Sequence, residues 1–238
     1  MENLKGIKGI IFDYGGTIDS HGDHWSEVIW DGYKSASIQI PKEQFRSAYV
    51  YAERELERTP HIKPEDTFYI LLRKKIKIEM QELVRTGTLP ADYPIDAKSD
   101  EAARYCDTVA RSHVKKSAEV LSALSRKYPL VLVTNFYGNI RSVITEYGIA
   151  RYFKDIVESA VVGCRKPSEE IFRIARERLG TQPDETLVVG DSYKNDIAPA
   201  IKQGMQAIWL KNESWNDSEK NIEYTKIIDT IEELLSMV

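Results

Sequence analysis

Short runs of branched apolar residues constrain this chain most: "GIIF" at 9–12, "LVLV" at 130–133, "TLVV" at 186–189 and "AIWL" at 207–210. None alternates apolar with polar, and each stops at a glycine, a proline or a polar residue. Such runs read as strands buried on both faces, the signature of a parallel sheet. Helical stretches separate them. "SAEVLSALSRKY" precedes the second run. "NIRSVITEYG" and "PSEEIFRIARERLG" follow it, the latter opened at Pro167 and stopped at Gly180. "DIVESAVVG" adds a short strand, "NDIAPAIKQG" a helix, and "YTKIIDTIEELLSMV" a strand and a final helix. Strand and helix in this rhythm predict an α/β fold with a doubly wound parallel sheet. Right-handed crossovers then bring the strand C-termini to one edge, so Asp13, Thr134 and Asp191 meet there.

Residues 20–113 break the rhythm. "DHWSEVIWDGYKSASI", "KEQFRSAYVYAERELER", "EDTFYILLRKKIKIEMQELV" and "DEAARYCDTVARSHVKK" read as amphipathic helices, with breaks at Pro41, Pro60, Pro64, Gly87, Pro90 and Pro94. They predict an all-helical insert between core segments 1–19 and 114–238. Its aromatic residues Trp25, Trp30, Tyr33, Tyr49 and Tyr51 read as helix packing, "LLRKKIK" as a solvated basic face, and Trp209 and Trp215 as fold and surface elements.

Composition narrows the function classes. The 238 residues are 42% hydrophobic and 29% charged, with net charge −4. A mildly acidic chain has no global field for nucleic acid or an anionic membrane, so neither is expected as a partner. No membrane span or signal peptide is read, and Cys106 and Cys164 fit a reducing, cytoplasmic setting better than a disulfide framework.

Four stretches converge on the expected sheet edge: "DYGGT", "LVLVT", "RKP" and "GDSYKND". Asp13 and Asp191 are hard oxygen ligands suited to Mg²⁺, Asp196 supports them directly or through water, and the Gly15 carbonyl needs no side chain to join them. Thr134 offers a hydroxyl and Lys166 a positive charge. Gly16, Thr17 and Asn135 are candidates for substrate contact. A carboxylate beside Mg²⁺ and a lysine suits phosphoryl transfer through an aspartyl-phosphate.

In this order the four stretches resemble the motifs of the haloacid dehalogenase superfamily, and the insert is similar to its C1-type cap. The resemblance implies Asp13 as nucleophile, Asp191 and the Gly15 carbonyl as Mg²⁺ ligands with Asp196 close by, and Thr134 and Lys166 as phosphoryl binders. The implied activity is hydrolysis of a small phosphorylated molecule. One position departs. The family's phosphatases carry a second aspartate, which protonates the leaving group, where this chain has Gly15. General acid catalysis is typically worth about 10²–10⁴-fold.

Three readings follow: a phosphatase acting on good leaving groups or borrowing an acid, with His21 and His24 nearby; dehalogenase- or phosphonatase-like chemistry; or a silent binding protein. The phosphonatase reading needs an amine from Lys34, Lys42, Lys63, Lys74, Lys75, Lys77 or Lys98, and the sequence selects none. His21 and His24 otherwise sit at the hinge into the insert, and Asp19 reads as structural.

Overall fold

The computed structural model describes residues 4–211, 219 and 222–238; Trp215 lies outside them. Its centre is a six-stranded, all-parallel sheet: β1 (Gly9–Phe12), β2 (Leu130–Thr134), β3 (Asp155–Glu158), β4 (Thr186–Gly190), β5 (Gln206–Leu210) and β6 (Ile227–Ile228), in the order β3-β2-β1-β4-β5-β6. The chain reverses direction across the sheet at β1, so the cleft beyond the ends of β1, β2 and β4 is the topological switch point.

Side-chain alternation distributes each strand over two cores. Ile10, Phe12, Leu130, Leu132, Leu187 and Val189 face one layer. Ile11, Val131, Val133, Val188 and Trp209 face the other, against Ile171, Phe172 and Ala175 of α7 (Glu169–Leu179). Both faces are covered, which is why the runs show no polar alternation.

Between β1 and β2 stand α1 (Trp25–Ser35), α2 (Lys42–Arg58), α3 (Phe68–Arg85) and α4 (Ile95–Ser125). Two stretches read separately in the sequence, "DEAARYCDTVARSHVKK" and "SAEVLSALSRKY", are one helix, the 31-residue α4. No proline or glycine interrupts it, so the hydrogen-bond ladder has no reason to stop. The 113/114 boundary therefore falls within a helix. At the other junction His21 adopts φ 61°, and its ring stacks on His113 of α4 with centroids 5.7 Å apart.

The remaining elements carry the sheet's connections: α5 (Ile140–Glu146), α6 (Ser159–Val162), α8 (Ala198–Lys202) and α9 (Leu234–Met237). A π-helical turn, Tyr193–Ile197, precedes α8 and turns Asp196 inward.

In the insert, α1 and α4 approach closely at Gly32. A Cβ there would stand 2.8 Å from Cys106 Sγ and 3.1 Å from the Ala102 carbonyl oxygen. Gly32→Val is expected to destabilise the protein by about 1–3 kcal/mol through overpacking. An unchanged urea midpoint would show that the two helices can part at no cost.

Candidate active site

The backbone N–H of Asp13 donates to Val189 O at 2.9 Å, which extends the β1–β4 ladder by one residue and holds the carboxylate just past the sheet edge. Lys166 Nζ lies between two acids, 2.5 Å from Asp13 Oδ1 and 2.7 Å from Asp196 Oδ1. All three side chains are at most 6% exposed. Burial pulls the Lys166 ammonium down, but the two carboxylates outweigh it and hold the group above its ordinary range. Carboxylate oxygens of Asp13, Asp191 and Asp196 come within 4.8 Å of one another. Burial and then the Asp13 and Asp196 charges push Asp191 well up, and burial lifts Asp196 to about 6 against the pull of Lys166.

Glycines make this crowding possible. A Cβ on Gly190 would stand 2.4 Å from Asp196 Cβ, and one on Gly16, which has φ 97°, would stand 2.2 Å from Asp191 Oδ2. Only a residue without a side chain lets the two acids approach the strand ends.

The site opens into a cavity of about 400 Å³ lined by Asp13, Gly15, Thr134, Asn135, Lys166, Asp191 and Asp196. Gly16 and Thr17 stand behind this wall. The Gly16 N–H donates to Asp19 Oδ1 at 2.9 Å, and the Thr17 hydroxyl donates to Asp13 Oδ2 at 3.2 Å. Asn135 reaches the cavity, yet its amide clamps the Lys166 backbone: Nδ2 donates to Lys166 O at 3.0 Å and Oδ1 accepts from Lys166 N at 2.8 Å.

The insert supplies the opposite wall, including His24, Trp25, Tyr49, Phe68 and Lys75. His24 Nδ1 accepts from Ser26 N at 3.1 Å and caps α1. Burial, aided by the Lys75 charge, lowers His24 to about 4, so its imidazole is neutral near pH 7. Trp30 and Tyr49 pack around Phe45 as helix neighbours, whereas Tyr51 is exposed.

"LLRKKIK" is not uniformly solvated. Lys74 and Lys77 pair with Asp66 and Asp96 toward the surface, but Lys75 turns inward, pairs with Glu53 and stacks 4.1 Å over the Tyr49 ring. Glu53 also accepts from the Tyr137 hydroxyl at 2.7 Å. Burial raises this carboxyl, but Lys75 and the hydroxyl outweigh it and hold it below its usual range. Of the insert lysines singled out in the sequence, Lys75 is the one on the cavity wall. Its ammonium is ion-paired, whereas a Schiff base needs a neutral amine.

Sequence reasoning missed Glu53, Tyr137 and the inward turn of Lys75. It also missed Glu158, whose Oε1 accepts from Gly138 N at 2.6 Å and fixes the loop after β2. Helical spacing from Tyr49 to Glu53 was the available signal.

Asp19 is fully buried. Its Oδ1 accepts from Gly16 N and, at 3.0 Å, from Trp25 Nε1; burial raises its carboxyl to about 8. An unfolded aspartate titrates near about 3.9. Between these values the folded state binds the extra proton. Stability from this group is therefore full below about pH 4 and falls as pH rises through the folded value. Asp19→Asn retains the accepting oxygen and cannot ionise. Its urea midpoint, relative to the native protein, is expected to rise between about pH 5 and about pH 8. A difference independent of pH would mean that Asp19 is already ionised when folded.

Several known proteins resemble this chain. A stretch of 100 residues is 33% identical to the 5-amino-6-(5-phospho-D-ribitylamino)uracil phosphatase YigB of Escherichia coli, covering 42% of this chain and 40% of that protein. Another of 91 residues is 32% identical to the glyceraldehyde 3-phosphate phosphatase of Methanocaldococcus jannaschii, covering 38% and 40%. The matches thus span about two fifths of these relatives. The magnesium-bound HAD-hydrolase YfnB of Bacillus subtilis shares the fold with a TM-score of 0.64 over 98% of both chains, at 21% identity. The profile of the haloacid dehalogenase-like hydrolases matches residues 7–204, and the chain belongs to that family.

Proposed function

We propose that this chain is a phosphatase that transfers a phosphoryl group to Asp13, with the helical insert, residues 20–113, acting as a C1-type cap over the core formed by 1–19 and 114–238. The observation that carries the reading is the buried Lys166 ammonium between Asp13 and Asp196, with Asp191 beside them at the foot of the cavity. Three carboxyl groups meet one ammonium at the foot of the cavity, and a cation there would offset the burial and repulsion that raise Asp191. That donor set fits a hard divalent cation. Asp13, Asp191 and the Gly15 carbonyl would hold Mg²⁺, with Asp196 directly or through water. Bound there, the cation offsets the charge on the phosphoryl oxygens.

This chain's own groups do the rest. Asp13 attacks phosphorus and carries the phosphoryl group. Lys166 and the Thr134 hydroxyl hold the oxygens in transfer. Asn135 positions Lys166 by its backbone, and the Thr17 hydroxyl orients Asp13. Gly15 supplies no acid, so departure of the leaving group depends on its own stability as an anion, and water opens the acyl-phosphate without a neighbouring base. The substrate is a small phosphorylated molecule, and the free thiols Cys106 and Cys164 suit a cytosolic enzyme.

Rapid mixing with p-nitrophenyl phosphate and Mg²⁺ tests the reading. A burst of nitrophenol approaching one per chain is expected, followed by slower turnover. Asp13→Asn should lower the burst rate by more than about 10³-fold, and EDTA should abolish it. Release equal to that of Asp13→Asn would remove phosphomonoester hydrolysis as the function.

A further inference from the structure

The phosphatase reading, on which this inference rests, leaves the departing group unnamed. A Cβ on Gly15 would meet Trp25, 3.6 Å from Cδ1 and 3.8 Å from Nε1. The space a side chain would enter beside the nucleophile is therefore faced by an indole. That ring is fixed: Nε1 donates to Asp19 Oδ1 at 3.0 Å, and its plane meets Phe68 edge-on at 4.9 Å between centroids. Phe68 in turn stacks with Phe136 at 6.3 Å, on the loop after Thr134. Trp25, Phe68 and Phe136 all line the cavity, with Leu71 and Leu72 beside them.

Three ionisable groups on the insert's side of the cavity are engaged with other residues. His24 is neutral near pH 7 and accepts a backbone N–H. Glu53 and Lys75 are paired, and Glu53 also holds Tyr137. Among the described residues, the side chain that faces the Gly15 position is an indole, which carries no acid.

A leaving oxygen in such a slot must depart as an anion. An alkoxide resembles hydroxide, whose parent acid has a pKa of about 15.7. A phenol's is about 10, so phenoxide leaves far more readily. Flat aromatic rings also gain from edge and offset contacts with the wall. Acyl phosphates and phosphoanhydrides leave well too, but a small acyl group leaves the slot unfilled. On the insert's side a second phosphate would meet Lys75 already paired with Glu53, and Lys194 and Lys211 line the core's side, away from the aromatic slot. We infer that the substrate is an aryl phosphate monoester, a phosphorylated phenol whose ring lies against Trp25, Phe68 and Phe136. In the transfer step the Asp13 oxygen forms a bond to phosphorus as the bond from phosphorus to the aryl oxygen breaks. The electron pair of that bond leaves on phenoxide, which takes its proton from water.

Four substrates separate the contributions: phenyl, benzyl, acetyl and ethyl phosphate, each mixed with the full-length protein and Mg²⁺. The readouts are the first-turnover rate and KM. Phenyl phosphate is expected to phosphorylate Asp13 at least about 10²-fold faster than benzyl phosphate, which keeps the ring but departs as an alkoxide. It should also bind with a lower KM than acetyl phosphate, which leaves well but has no ring. Trp25→Ala should raise the ratio of phenyl to acetyl KM by up to about tenfold. Gly15→Asp should narrow the gap in rate between phenyl and benzyl phosphate by at least about tenfold. Equal rates with phenyl and benzyl phosphate, or a lower KM for acetyl phosphate, would overturn the aryl assignment and leave the phosphatase reading intact. Failure of all four to phosphorylate Asp13 would overturn both. The native series decides the question even where a variant fails to fold.

Discussion

The ion cluster of Lys166 with Asp13 and Asp196 is what the other features of the core accommodate. Removing charges from water is expensive, and a buried pair is tolerated only when geometry and further hydrogen bonds satisfy it. Here three separate chain segments supply the charges, the ends of β1 and β4 and the loop before α7, so the cluster exists only if β1, β4 and the end of β2 that holds that loop lie at the same level. Parallel pairing of β1 with both neighbours enforces that. Asn135 at the end of β2 grips the Lys166 backbone, and the missing side chains at Gly16 and Gly190 provide the room. Deleting one partner would strand a buried charge, so the stability of the sheet edge and the chemistry of the site are the same constraint.

The insert meets that edge through polar contacts from α2 and the loop before α3. Glu53 accepts from Tyr137, Glu57 pairs with Arg165, and the carbonyl of Asp66 accepts from Asn139 Nδ2. Tyr137 lies three residues after Thr134, and Arg165 immediately precedes Lys166. The aromatic wall is thus tied to the two loops that carry Thr134 and Lys166. Position of the insert and geometry around Thr134 and Lys166 are mechanically linked.

Much of this was legible in the sequence because parallel strands buried on both sides leave uninterrupted apolar runs, and because each run ends on the residue it presents. Asp13, Thr134 and Asp191 are all read that way. The individual hydrogen bonds were not legible. Thr17 and Gly16 sit in a glycine-rich turn that suits phosphate as well as it suits internal caps, and only the direction of Asp19 decides between them. Asn135 appears adjacent to substrate in the sequence, yet its amide is spent on a residue 31 positions away. In "RKKIK" the charges look equivalent, but the helical turn rotates Lys75 inward while Lys74 and Lys77 pair toward the surface. The insert's second boundary was illegible because the chain there carries no breaker.

A helix shared by two units behaves as an axle. The unbroken α4 reaches from the insert into the core, while the other connection passes through left-handed His21 and Gly22. Lifting the insert straight off the sheet edge would require α4 to bend or lose hydrogen bonds. Turning it about the long axis of α4 strains the short His21–Gly22 link and breaks the contacts of Glu53, Glu57 and Asp66 with the core. While those contacts hold, the aromatic wall keeps its place on the cavity, with Trp25 also tied to Asp19 of the core segment.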